Sequence, residues 1–280
     1  MRTLIIVLTM SCWSLTAGAQ VNPNVYSHRV GAYEIVLLAE NQGTGNTGIL
    51  VGATPEMLQK AIPNGTYPNA VNAFLVKTPT QNILFDTGFG RNLEANLAAV
   101  NVKPEQIDLL VITHMHGDHI GGMLKDGKKA FPNAQLVLSD IEKEYWIDNQ
   151  KNEGAIRAYE AYKGDVKLIE PELADKKTAD GLFFFEAYGH TPGHIACLIK
   201  SGADELLIWG DLAHAMAIQM PFPEVSVRYD SDPAEAAESR KQLLKYVAAH
   251  QIPIAGMHVA YPGMGKITAA GTGYVFTPMR

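Results

Sequence analysis

Thr113-His114-Met115-His116-Gly117-Asp118-His119 decides the reading of this chain. It follows Asp108–Thr113, a short and almost wholly apolar run of the kind that forms a buried strand. Four potential metal ligands fall within six residues, at a strand-to-helix transition where several side chains can point inward. Imidazoles and a carboxylate suit zinc and related divalent ions. Gly117 lets the backbone bend between the ligand pairs. His114 and His116 can serve one ion, and Asp118 and His119, on the next turn, can face another. A chance H-x-H-x-D-H in a chain of this composition is on the order of one in a thousand.

The same placement recurs downstream. Gly189-His190-Thr191-Pro192-Gly193-His194 follows the apolar run Leu182–Tyr188. Gly210-Asp211-Leu212-Ala213-His214 follows Glu205–Trp209, and Gly256-Met257-His258 ends the run from Pro253. Each puts a His or Asp where a strand emerges, which a merely His-rich loop does not explain.

The chain around these segments has 280 residues, 47% hydrophobic and 19% charged, which suits a globular protein and excludes disorder or coiled coil. With 23 basic and 29 acidic residues it carries no basic nucleic-acid footprint, so no nucleic-acid partner is expected. Met1-Arg2, the apolar Leu4–Met10 and Ala17-Gly18-Ala19 read as an export signal over residues 1–19, cleaved after Ala19. The expected location is periplasmic or secreted. Cleavage removes Cys12 and leaves Cys197, so no internal disulfide is expected despite export. Cys197 lies in an apolar run and reads as a small buried hydrophobe. The rest of the chain has no run of 18 apolar residues, hence no expected transmembrane segment.

No Pro/Ser-rich linker divides residues 20–280, which read as one domain. Strands are expected at Tyr33–Leu38, Ala73–Thr78, Asn82–Phe85, Gln135–Ser139, Leu182–Tyr188, His194–Ile199, Glu205–Trp209, Ile252–Val259 and Gly273–Phe276. Glu94–Val100 and Asp140–Gln150 have helical character. Pro233–His250 is the clearest helix, capped by Asp232, with Pro233 at its first position. Gly43–Gly48 reads as a surface turn or a lid. Strands in runs with helices between and after them suggest two sheets with helices outside.

The set H-x-H-x-D-H, then His, Asp and His, resembles the metallo-β-lactamase superfamily over nearly the whole mature chain. Asp86-Thr87-Gly88 resembles that family's early D-T-G turn. The resemblance implies an α/β fold, a four-layer αββα sandwich with metals at one edge. By position, His114, His116 and His190 would bind the first ion, and Asp118, His119 and His258 the second, with Asp211 bridging. Two divalent ions are implied, zinc first, with iron, manganese or cobalt as alternatives. B1 β-lactamases use a Cys where Asp211 stands, flavin-coupled relatives an acidic residue where His116 stands, and glyoxalase II adds a helical C-terminal domain.

The closest resemblance is to the N-acyl-homoserine lactonase and methyl parathion hydrolase-like group. Trp209-Gly210-Asp211 through His214, Gln219, Tyr229-Asp230, Gly256-Met257-His258 and Pro262-Gly263 carry it. Many lactonases have a Tyr three residues after the bridging Asp; here that residue is His214.

The implied activity is opening of a lactone, or cleavage of a related ester, by a hydroxide shared between the ions. Asp118 and Asp211 are the catalytic carboxylates, Asp118 moving a proton and Asp211 holding the ions together. Phosphotriester hydrolysis and an iron-dependent redox relative are the alternatives. His214, Phe89, Met115, Trp146, Met220, Phe222 and Tyr261 are candidates for an apolar acyl site, weighed against ordinary core roles. His194 reads as supporting the ligands, and His28 and His250 as surface residues. Related hydrolases often form dimers, so the resemblance admits a homodimer and leaves the oligomeric state open.

Overall fold

The computed structural model describes residues 23–171, 177–179 and 181–280. The expected signal at 1–19 lies outside them. Two seven-stranded sheets form the centre. The first runs in the spatial order Val25–Val30, Tyr33–Asn46, Thr66–Lys77, Asn82–Phe85, Leu109–Val111, Gln135–Ser139, Val166–Ile169. The second runs Lys177–Ala179, Leu182–Glu186, Ile195–Ser201, Asp204–Ile208, Ile254–Ala255, Met264–Ala270, Gly273–Pro278.

Side-chain alternation along the strands builds the layers. Ile35, Leu37, Phe74, Phe85 and Val111 face the second sheet and pack with Ile195, Cys197 and Ile208. The intervening Val36, Leu38, Leu84, Leu110 and Ile112 face outward and are covered by Leu93, Leu97, Ala158 and Tyr162 from flanking helices. On the far side, Leu207 and Trp209 pack against Leu243, Leu244 and Val247. The architecture is therefore the αββα sandwich. Both faces of each central strand are buried, which is why the strands read as nearly continuous apolar runs.

The Pro233–His250 helix has the expected bounds; the Asp232 carboxylate accepts from the N–H groups of Ala234 and Glu235. Asp140–Gln150 is helical as expected, a short α-turn, Asp140–Lys143, leading into a π-helix, Glu144–Asn149. Elsewhere the chain departs from expectation. Within Ile252–Val259 only Ile254–Ala255 is strand, because Met257 N–H turns away to the carbonyl of Gly210. Gly43–Asn46 is not a surface turn: it extends a 14-residue strand paired with Thr66–Asn69, and the tight turn begins only at Thr47. Among the described residues, no helix is long and apolar enough to cross a membrane.

Asn82–Phe85, Leu109–Val111 and Gln135–Ser139 run parallel. In the second sheet Asp204–Ile208 runs parallel to Ile254–Ala255, and Leu182–Glu186 shares its direction through two antiparallel pairings. The segments carrying Asp86, His114, His190, Asp211 and His258 thus leave their strands on one edge of the sandwich.

Candidate metal centre

Asp86 stands at the start of this edge, in a left-handed backbone conformation with φ 56°. Its carboxylate accepts from Thr113 N at 2.8 Å, Thr113 Oγ1 at 2.7 Å and His119 Nδ1 at 2.7 Å. The Thr113 hydroxyl, having donated to Asp86, accepts from His114 Nδ1 at 3.2 Å. Both imidazoles therefore turn Nε2 toward the cleft. His190 donates Nδ1 to Asp230 at 2.8 Å, and His258 donates Nδ1 to the carbonyl of Ala70 at 2.7 Å. Outer partners of this kind fix tautomer and ring orientation in metal sites. His194 donates Nδ1 to the carbonyl of Ala187 and accepts from Asp211 N at 2.9 Å, fixing the strand end that carries Asp211.

The inward atoms form two groups. His114 Nε2, His116 Nδ1 and His190 Nε2 lie 3.0, 3.0 and 3.2 Å apart. Three nitrogens on a tetrahedral zinc would be separated by about 3.3 Å. The second group is Asp118, His119 and His258, with Asp118 oxygens 3.8 Å from His119 Nε2 and 3.5 Å from His258 Nε2. Asp211 lies between the groups. Its Oδ2 is 3.4 Å from His190 Nε2 and 2.9 Å from His258 Nε2, and its Oδ1 is 3.3 Å from His119 Nε2.

The donor set fits two cations. Among the described residues, His119 Nε2 and Asp211 Oδ1 are buried with no hydrogen-bond partner. Such atoms are costly unless something else satisfies them. The electrostatics agree. Burial pushes the Asp211 carboxyl up, but His119, His258 and His214 outweigh it and hold the group well below the usual range. Burial and the neighbouring His190 bring His116 down to about 4, leaving its lone pair open.

His214 belongs to the same cluster. Its Nε2 is 3.0 Å from Asp211 Oδ2, and its ring stacks on His258 with centroids 4.5 Å apart. Burial takes it down to about 4, so the ring is neutral. The cleft in front of these groups encloses about 500 Å³, and Ile49, Tyr67, Asn69, Val71 and Tyr229 form its walls.

Trp146 packs edge-on to His116 at 5.4 Å, beside the cluster, whereas Met115 is buried against the helix layer. The structure sets four other candidate pocket residues apart from the cleft. Phe89 is exposed beneath the Arg91 guanidinium. Phe222 packs under Lys60. Met220 and Tyr261 line a separate apolar cavity of about 550 Å³, with Pro68 and Met216. For Met220, Phe222 and Tyr261 the reason is that the chain has already left the cluster, after His214 or after His258.

An αββα sandwich with paired His/Asp groups at one edge defines a metal-dependent hydrolase. Residues 66–251 match the family model of the metallo-beta-lactamase superfamily. AidC, a dizinc quorum-quenching lactonase solved with its product N-hexanoyl-L-homoserine, superposes with a TM-score of 0.84 at 25% identity, covering 92% of this chain and 98% of that one. The hydrolase AbOPH of the beta lactamase superfamily gives 0.83 at 28% identity, covering 93% and 99%. The N-acyl homoserine lactonase of Bacillus cereus is 28% identical over 112 residues, 40% of this chain and 40% of that protein. The chain belongs to the metallo-beta-lactamase superfamily.

Proposed function

We propose that this protein opens lactone rings with two zinc ions, N-acyl homoserine lactones being the first substrate class to test. The observation that carries the reading is the shared carboxylate: Asp211 sits between two candidate ligand groups in a chain similar over 92% of its length to a dizinc lactonase.

His114, His116 and His190 would hold one ion, Asp118, His119 and His258 the other, and Asp211 both. When bound, the cations supply Lewis acidity at the carbonyl and make hydroxide available near neutral pH. The protein's own groups do the rest. The walls Ile49, Tyr67 and Val71 offer apolar surface for an acyl chain. Asp118 is the carboxylate of the cluster that keeps contact with solvent, its side chain 25% exposed. Burial raises its pKa, but His119 and His258 outweigh it and keep the group ionised. It can take the proton of the attacking water and return it to the leaving oxygen as the ring C–O bond breaks, giving a hydroxy acid. Neutral His214 lines the cleft at the position where many lactonases carry Tyr and offers an imidazole to a bound ring.

Acid release from N-hexanoyl homoserine lactone by the zinc-loaded protein tests this. Turnover of about 1 per second or more, lost in Asp211→Ala, is the expected result. No acid release by protein holding two zinc ions rejects the lactone.

A further inference from the structure

Glu142 is wholly buried on the Asp140–Lys143 turn and touches none of the inward-facing ligand atoms. Its carboxylate is nevertheless fully engaged. Oε1 accepts from Met115 N at 2.8 Å and Trp146 Nε1 at 2.6 Å. Oε2 accepts from Thr191 Oγ1 at 2.7 Å and Gly193 N at 3.1 Å. These four partners carry no positive charge, so a buried carboxyl is held by neutral donors alone. An ionised carboxylate has about four acceptor positions, and all of them are used here.

The partners have one thing in common. Met115 is the residue between His114 and His116. Thr191 follows His190. Gly193 lies between Thr191 and His194, and a Cβ there would collide with Glu142 N, so the two backbones are in direct contact. Trp146 packs its ring on His116. One carboxylate thus clips together the two loops that deliver the three-histidine group, which come from different sheets. The other half of the cluster is held separately: His119 by Asp86, and His258 by the carbonyl of Ala70.

We infer that Glu142 is the positioning residue for the His114/His116/His190 group and has no comparable hold on Asp118/His119/His258. The inference rests on the two-zinc reading. Glu142→Gln puts an NH₂ against N–H or O–H donors and breaks one side of the clip. Losing an outer partner of this kind lowers metal affinity about 10–100-fold.

The test measures zinc affinity by chelator competition in two backgrounds. In His258→Ala, with the three-histidine group intact, Glu142→Gln should weaken zinc 10–100-fold. In His116→Ala, with the other group intact, it should leave zinc affinity unchanged. Equal loss in both backgrounds, or no loss in either, overturns the inference. If Glu142→Gln does not fold, Thr191→Val, which removes one donor of the four, must show the same asymmetry with a smaller factor. Absence of zinc from the unsubstituted protein would instead strike the two-zinc reading itself.

Discussion

His190 Nδ1 and Asp230 Oδ1 are 2.8 Å apart across forty residues of sequence. The other oxygen of Asp230 accepts from Val227 N at 3.0 Å and faces the Arg240 guanidinium at 3.8 Å. Asp230 thereby fixes the His190 ring with Nε2 toward the three-nitrogen group. Asp230→Asn should keep the fold and lower zinc affinity about 10–100-fold, read by chelator competition. Unchanged affinity would mean that the ring is held by packing alone.

The same pair sets a pH dependence in the zinc-free protein. Burial lowers the His190 pKa, but hydrogen bonds to Asp211 and Asp230 outweigh it and raise it to about 9, from 6.5 for a free side chain. A raised pKa contributes stability that is fully present below 6.5 and lost as pH climbs through about 9. The thermal midpoint of zinc-free protein should therefore fall across that window, and fall less in Asp230→Asn. Parallel curves would contradict the assignment.

Arg240 lies beneath this pair, 1% exposed. Its guanidinium donates to the carbonyls of Leu212, Pro223 and Val225 at 2.7–2.9 Å. Arg240→Met leaves the buried carbonyls of Leu212 and Pro223 without partners, whereas Val225 keeps its bond from Gln219 Nε2, and should cost about 2 kcal/mol or more in urea unfolding. Arg240→Lys should recover only part of this, because an ammonium cannot reproduce the planar fork.

Cys197 faces the space between the sheets, and burial pushes its thiol up. It should stay unlabelled by a thiol reagent in native protein and react once the protein is unfolded, as peptide mass mapping would show. Labelling of the native protein at a comparable rate would contradict the packing.

The residues that cluster at this edge were legible in sequence because their signal is chemical: His114, His116, Asp118, His119, His190, Asp211 and His258 each stand where an apolar run ends. The sandwich was legible for a related reason, since strands buried on both faces leave uninterrupted apolar runs. The cleft walls were not. Tyr67 lies over Gly45 because Thr66–Lys77 pairs with Tyr33–Asn46 in one register, and a Cβ on Gly45 would collide with the Tyr67 ring. Register between distant strands leaves no local mark. Val25–Val30 and Met264–Ala270 were missed because they lie toward sheet edges, where exposed polar residues interrupt the apolar pattern. Asp230 was visible as part of a resembling motif, but its task, orienting His190, needed the fold.

The most direct test of the central claim is a zinc titration of the metal-free protein with lactone opening as readout. Two ions sharing Asp211 predict negligible acid release after one equivalent of zinc per chain and full turnover only as the second binds. Full turnover at one equivalent, or activity that appears with a single iron and not with zinc, would contradict a two-zinc lactone hydrolase.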